Sequence, residues 1–357
     1  MINVLFTANE LNYTCGVTNH LLHLSKALTE TGKVNLAIIC GGGNGINRFK
    51  DINAEIIPDE RFLHTARNIK NYLSGIKYLV KFVKKNHINI IHSHYHYGAS
   101  IAAKSASLTG VTTVQTNHGL LENTGRLKHF NADHYIAVNP HIEKHLVKKE
   151  QIKKERVHFI RCGIPVPFPI PQKAVQEKLK ILAAARFTHQ KGLDVYIKAV
   201  NMLPENIFKH AEFLIAGTGE LEAELRALND SLGRKVIFEG NVLNMQAYLK
   251  KINILVNNSL SDTEGFPAII TEAGASNTLV ITSDFLGAHD VIKPGLNGLM
   301  YRNNSAENLY QMLIDAVYNY NNYKPVSKIF YEYIRKNFSV QEMAEKHLKL
   351  YLSCINK

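Results

Sequence analysis

The stretch ILVNNSLSDTEGFPAIITEAGA places two glutamates, Glu264 and Glu272, eight residues apart around a Gly-Phe-Pro turn. Paired carboxylates serve as acid and base in sugar chemistry, so a glycoside-cleaving pair is one reading. The spacing points elsewhere. Eight residues of helix span about 12 Å, whereas the carboxylates of a retaining glycosidase stand roughly 5 Å apart. Each glutamate would then hold a different part of one extended ligand. Pro267 fits the first turn of a helix, where its missing N–H costs nothing. Gly265 and Phe266 then lie at the helix entrance with backbone N–H groups, which together with the helix dipole favour electron-rich oxygens. An exposed loop followed by a helix-stabilising acid is the plainer alternative.

Other residues carry weaker signals of the same kind. LAAARFTHQKGLDVYIKAV sets Arg186 and Lys191 around a strand-to-helix turn, with Gly192 at the helix start. Two cations there could hold a diphosphate, Arg by two hydrogen bonds and Lys as a point charge, although surface cations look the same. Gly16, in TANELNYTCGVTNHLLHL, is a place where backbone could approach a phosphate, and Gly217 and Gly219 in LIAGTGELEAEL have the same status. IIHSHYHYGAS puts His92, His94 and His96 on one face of a strand if that strand extends far enough. Three such imidazoles could ligate a metal, although polar residues ending a buried strand explain them more simply. His118, in TNHGLLE, falls just past another strand and could hydrogen-bond a sugar hydroxyl.

These residues need elements to position them. INVLFTA, NLAIICGGG, INIIHSH, TTVQTNHG and HYIAVN read as buried strands, separated by helical patterns such as TNHLLHLSKALTETG and IKNYLSGIKYLVKFVKKNH. The dense prolines of CGIPVPFPIPQ then break both kinds of structure. After them the alternation restarts with LKILAAAR and continues to TLVITSD, and VSKIFYEYIRKNFSVQEMAEKHLKLYLSCINK reads as one or two amphipathic helices. Strands regularly separated by helices predict parallel sheets covered on both faces. Two such doubly wound domains, joined by a linker, predict a deep cleft lined by the carboxyl ends of both sheets.

In order and spacing the constellation resembles the family-4 retaining glycosyltransferases of GT-B fold, over nearly the whole chain. EGFPAIITE matches the Glu-x7-Glu signature, AARFTHQKGLD the Arg…Lys-Gly element, IIHSHYHYGA the strand ending in His-x-His, QTNHGL the His-Gly loop and FSVQEMAEKHLKLY the C-terminal helix. The resemblance implies three segments: an acceptor-binding Rossmann-like domain over residues 1–165, a nucleotide-sugar domain over 166–334, and a helix over 335–357 crossing back to the first. It also implies roles. Glu272 would hold the ribose hydroxyls and Glu264 the donor sugar, with backbone N–H groups from Gly265 to Ala268. Arg186 and Lys191 would neutralise the leaving diphosphate, Gly16 would approach it from the first domain, and His118 would contact the transferred sugar. Fixed cations and dipoles would replace a metal, so no divalent ion or other cofactor is expected. The sequence departs from the family pattern at Cys15-Gly16, where a glycine pair is usual, at Asn139, where serine is commoner, at the extra asparagine of VNNSLSD, and in a linker without Asn-Gly.

Composition bounds the rest. The 357 residues have room for about two domains, and no apolar run reaches the roughly 18 residues of a spanning helix. Four scattered cysteines favour reduced thiols and a cytoplasmic protein. The net charge of +12 is uneven: residues 1–168 hold 21 Lys/Arg against 11 Asp/Glu, and residues 169–357 hold 21 against 19. The basic half suggests an anionic neighbour. The expected enzyme moves a hexose-type sugar from a UDP- or GDP-sugar to a glycan or lipid-linked acceptor of a bacterial-type surface polysaccharide or lipopolysaccharide. KYLVKFVKKNH and HLVKKEQIKKER would touch the inner membrane face, and no nucleic-acid partner is expected. A sugar-nucleotide epimerase of the same fold and a metal hydrolase on His92, His94 and His96 are the alternatives.

Overall fold

A computed structural model describes the chain except residues 14, 121–131, 174–175, 263–264 and 356–357. It divides into two compact units, Met1–Gly163 with Val340–Lys357, and Ile164–Ser339.

The first unit is built on strands β1 (Ile2–Ala8), β2 (Val34–Cys40), β3 (Ala54–Pro58), β4 (Ile90–Ser93), β5 (Thr112–Asn117), β6 (His134–Ala137) and β7 (Val157–Phe159). All pairings are parallel, in the order β3-β2-β1-β4-β5-β6-β7. Helices α1 (Gly16–Glu30), α2 (Ile69–Lys85), α3 (His96–Thr109) and α4 (Pro140–Lys148) cover the sheet. The central strands are apolar on both faces, as a sheet covered on both sides demands, and six of the seven β1 residues are buried. Asn68 caps α2 by accepting from the N–H of Asn71, and Lys84 and Lys85 close its last turn against the helix dipole.

In the second unit β8 (Leu179–Ala184), β9 (Ala211–Ala216), β10 (Ile237–Gly240), β11 (Ile254–Asn257), β12 (Leu279–Ser283) and β13 (Leu299–Tyr301) form a parallel sheet in the order β10-β9-β8-β11-β12-β13. Helices α5 (Leu193–Asn201), α6 (Glu222–Leu232), α7 (Met245–Leu249), α8 (Ala268–Ala275), α9 (Leu286–His289), α10 (Ala306–Tyr318) and α11 (Tyr320–Asn337) complete it. Gly274 sets the seat of α11 on α8, since a Cβ there would lie 2.7 Å from side-chain atoms of Ile334 and Phe330. The last helix, α12 (Val340–Ile355), belongs to the first unit and packs on α1 through Met343, Leu348 and Tyr351. The terminal segment is therefore two helices, divided at Phe338–Ser339.

Both sheets share one winding, with the first strand of each beside its fourth. In such sheets the crevice at the carboxyl ends of these two strands receives ligands. Those strands are β1 and β4 in one unit and β8 and β11 in the other.

Two local expectations are corrected. The strand expected to run through INIIHSH ends at Ser93, because the chain turns at Tyr95 into α3, which opens at His96. Pro267 precedes α8 as its N-cap, with φ −78° and ψ 76°, so the helical turn begins one residue later than expected.

Candidate active site

In the second unit the motif residues emerge from the two switch-point strands. Arg186 is exposed two residues after β8, and Lys191 is half-buried on the short turn His189–Lys191 that leads into α5. Gly192 closes the turn at φ +55°, where a Cβ would fall 2.3 Å from the carbonyl oxygen of Asn258. Only glycine allows that approach, so the turn is locked against the segment after β11. The N–H of Leu260 donates to Gln190 O at 2.8 Å and ties the same two segments together.

Gly217 and Gly219 form the loop after β9. A Cβ on Gly217 would stand 1.9 Å from Ala185 O, and one on Gly219 would stand 2.6 Å from Phe187 O. Their lack of side chains lets this loop lie on the backbone that carries Arg186. The N–H of Gly217 is committed to Gly240 O at 2.8 Å, so this residue shapes the wall of the site and does not offer a donor to a ligand.

At α8, Gly265 and Pro267 are buried, while Phe266 is half-buried and stacks on Phe338 at 6.2 Å. The N–H of Ala268 donates to Phe266 O at 2.9 Å, which rigidifies the entrance of the helix. Glu272, on α8, is half-buried. Glu264 lies outside the described residues. The asparagine pair of the preceding strand is structural: Asn257 donates to Thr282 Oγ1 at 3.2 Å, and Asn258 Oδ1 accepts from the Tyr301 hydroxyl at 2.8 Å.

In the first unit Gly16 is the exposed first residue of α1, and nothing stands within 4 Å of where its Cβ would be. The helix behind it leaves its first N–H groups without intrahelical acceptors. The departure at Asn139 is chemically mild, since Asn139 caps α4 by accepting from the Ile142 N–H at 2.7 Å, a task serine performs equally well.

His118 lies just past β5, beside a set of buried imidazoles. Its Nε2 is 3.2 Å from Nδ1 of His94, and its ring is 4.8 Å from that of His20 on α1. The ring of His92 lies tilted beside that of His94 at 4.3 Å, and His347 of α12 stands 5.6 Å from His92 and 6.3 Å from His20. Burial is the main reason all five rings are held neutral. It lowers His118 to about 3 and His347 to about 4, and pushes His20, His92 and His94 well below the ordinary histidine value. Their mutual proximity adds repulsion against any second charge. A neutral His118 can hydrogen-bond a hydroxyl but is not a proton donor at neutral pH.

The metal triad of His92, His94 and His96 does not form. His92 spends Nδ1 on the Tyr351 hydroxyl at 2.6 Å and Nε2 on Thr116 Oγ1 at 2.7 Å, and His96, on α3, meets Gln115 Nε2 at 3.0 Å. His94 instead faces His20 and His118. His20, His347 and Tyr351 come from elements remote in sequence, and no local motif marks them.

Helix α2 gives the basic half a surface. Lys70, Lys77, Lys81, Lys84 and Lys85 are exposed, with Ile69 and Leu73 exposed at its start. No helix among the described residues is long and apolar enough to cross a membrane.

The family model of the group 1 glycosyl transferases matches residues 169–336, and that of glycosyltransferase family 4 matches residues 14–167. The alpha-1,4-N-acetyl-D-galactosaminyltransferase of Campylobacter jejuni that acts on a GalNAc-containing diNAcBac-PP-undecaprenol is 31% identical over 171 residues, 48% of this chain and 47% of that protein. The chain thus matches about half the length of that relative. The gpi3 subunit of phosphatidylinositol N-acetylglucosaminyltransferase from Schizosaccharomyces pombe is 23% identical over 94% of this chain and 77% of its own. Among solved structures, a glycosyltransferase from Rickettsia africae superposes with a TM-score of 0.85 at 20% identity, over 100% of this chain and 99% of that one. Anabaena HepE, solved with UDP and glucose, has a TM-score of 0.81 at 15% identity, over 99% of this chain and 100% of that one. At these identities the two structures show a common fold.

Proposed function

Because the chain belongs to the group 1, family 4 glycosyltransferases, we propose that it moves a hexose-type sugar from a UDP- or GDP-sugar, with retention, to a glycan or lipid-linked acceptor of a bacterial-type surface polysaccharide. The observation that carries this reading is the placement of Arg186 on the loop just after the central strand β8 and of Lys191 on the glycine-locked turn that follows it. Cations fixed there meet the diphosphate as it leaves and need little reorganisation to do so. As the bond from the anomeric carbon to the phosphate oxygen breaks, its electron pair passes to the diphosphate. The acceptor hydroxyl attacks from the same face and its proton goes to the departing phosphate oxygen. Glu272 holds the ribose, Glu264 and the backbone N–H groups of Gly265 and Phe266 hold the donor sugar, since Pro267 has no N–H and that of Ala268 is committed to Phe266 O, and Gly16 adds the N-terminal end of a helix to the diphosphate. Neutral His118 hydrogen-bonds the sugar near the reacting carbon. The bacterial surface-glycan setting draws on relatives such as the Campylobacter enzyme.

The test is transfer by Lys191→Ala and Glu272→Ala proteins whose folding is verified by circular dichroism. Rates near the wild-type value in both would overturn these assignments. A panel of nucleotide sugars ranks the donor, since one present at 100 times its Kd stabilises the fold by about 2.7 kcal/mol. Incubation with donor alone separates transfer from epimerisation, because an epimerase converts the donor without an acceptor.

A further inference from the structure

Three imidazoles of the first unit converge from separate elements. His20 of α1, His94 past β4 and His118 past β5 each bring a ring nitrogen within 4.8 Å of the other two. His20 and His94 are only 5% and 3% exposed. Yet both ring nitrogens of His20, and Nε2 of His94, have no hydrogen-bond partner. A buried polar atom left unpaired costs roughly 1–3 kcal/mol. His20 thus stands with no partner beside the hydrogen-bonded pair of His94 and His118, and an ion seated among the three rings would satisfy one of its nitrogens. The donor set is imidazole alone, which suits zinc, cobalt, nickel or copper and not the oxygen-seeking magnesium or calcium.

We propose that His20, His94 and His118 bind one divalent transition-metal ion of the zinc class. Zinc–nitrogen bonds of about 2.0–2.1 Å set tetrahedral nitrogen–nitrogen edges of about 3.4 Å. The edge between His94 Nδ1 and His118 Nε2, at 3.2 Å, already has that length. His20, whose ring lies 4.8 Å from His118 and 5.5 Å from His94, closes the triangle by turning its side chain. Binding needs no net proton release from the pair. The proton shared between His94 and His118 moves to the far nitrogen of its own ring, leaving both facing nitrogens to ligate. Three histidines leave the fourth position open to water or a ligand oxygen. An ion so placed withdraws His118 from the sugar, a consequence that rests on the donor reading above.

The experiment titrates zinc, and separately cobalt(II), into the full-length chain carrying no polyhistidine tag, with no donor present. One equivalent of zinc bound by calorimetry, with the intense visible bands of tetrahedral cobalt(II), is the expected result. His20→Gln and His94→Gln should each weaken binding by more than the roughly 10–100-fold lost with an outer-shell partner. No uptake, uptake unchanged in the folded variants, or only the pale spectrum of octahedral cobalt would overturn the site. Should either variant fail to fold, the wild-type cobalt spectrum decides. Transfer assays with and without zinc form a separate arm. Binding without inhibition keeps the metal site and removes His118 from the sugar, whereas absence of binding leaves the donor reading intact.

Discussion

The two units share one strand order and bury different chemistry. The first encloses five imidazoles, His20, His92, His94, His118 and His347, all held neutral. The second leaves Arg186 exposed and Lys191 half-buried on glycine-locked loops. Fourteen of the seventeen histidines belong to the first unit, and the three of the second, His189, His210 and His289, are all exposed. The difference teaches how one fold serves two tasks. In the first unit burial holds imidazoles neutral, whereas in the second backbone geometry sets basic side chains on loops.

The largest effect should come from the charged side of that contrast. Replacing Lys191 by alanine removes the cation proposed to face the leaving group, and kcat should fall on the order of 100–1,000-fold while the fold is kept. Measured kcat within a few-fold of wild type would break the assignment of charge chemistry to the second unit.

Acid should strike the other side. His347, at about 4 when folded, titrates near 6.5 in an unfolded chain. The unfolded state therefore takes up the proton first, so stability is intact above pH 6.5 and declines as the pH falls toward 4. For this residue alone the loss at pH 4 is roughly 3 kcal/mol, and His118, at about 3, adds to it. Hydrogen exchange at pH 7 and pH 5, read separately for each unit, should show the first unit loosening earlier. Equal loosening in both would remove the contrast.

Glycine substitutions sharpen it further. Gly217→Ala forces a Cβ to 1.9 Å from Ala185 O at φ +136° and should cost at least 1–3 kcal/mol in urea unfolding. Gly110→Ala, at φ +74° with nothing within 4 Å, should cost only about 1 kcal/mol. Similar losses would mean that backbone angle, not close approach, fixes the loop beneath Arg186. The smallest effect is expected at the basic surface. Lys81→Gln or Lys84→Gln should weaken binding to anionic vesicles by about 1 kcal/mol each, and salt should weaken it further.

Much of this was legible in the chain. β1 covers Ile2–Ala8, the residues of INVLFTA, because a short apolar run with β-branched residues, stopping after seven, reads as a buried strand. The motif around Glu272 and the Arg186–Lys191 turn were visible because their spacing is local. Short edge strands such as β7 (Val157–Phe159) and β13 (Leu299–Tyr301) were not, since three residues show no period. Nor is the end of β4 legible, since nothing in HSH separates Ser93 from His94, while Tyr95 turns the chain into α3.

By itself, then, the sequence determined the alternation of elements, the proline-rich break at CGIPVPFPIPQ, and the local motifs that set Glu272 on a helix and Lys191 on a turn after a strand. Each depends on residues close together in the chain, where hydrophobic period, glycine and proline act directly. Only the tertiary structure decided that His20, His94 and His118 share one buried site, that Tyr351 holds His92, and that Gly217 serves Ala185. Those are contacts between segments tens to hundreds of residues apart, and a parallel sheet sets them by strand order, which no local pattern records.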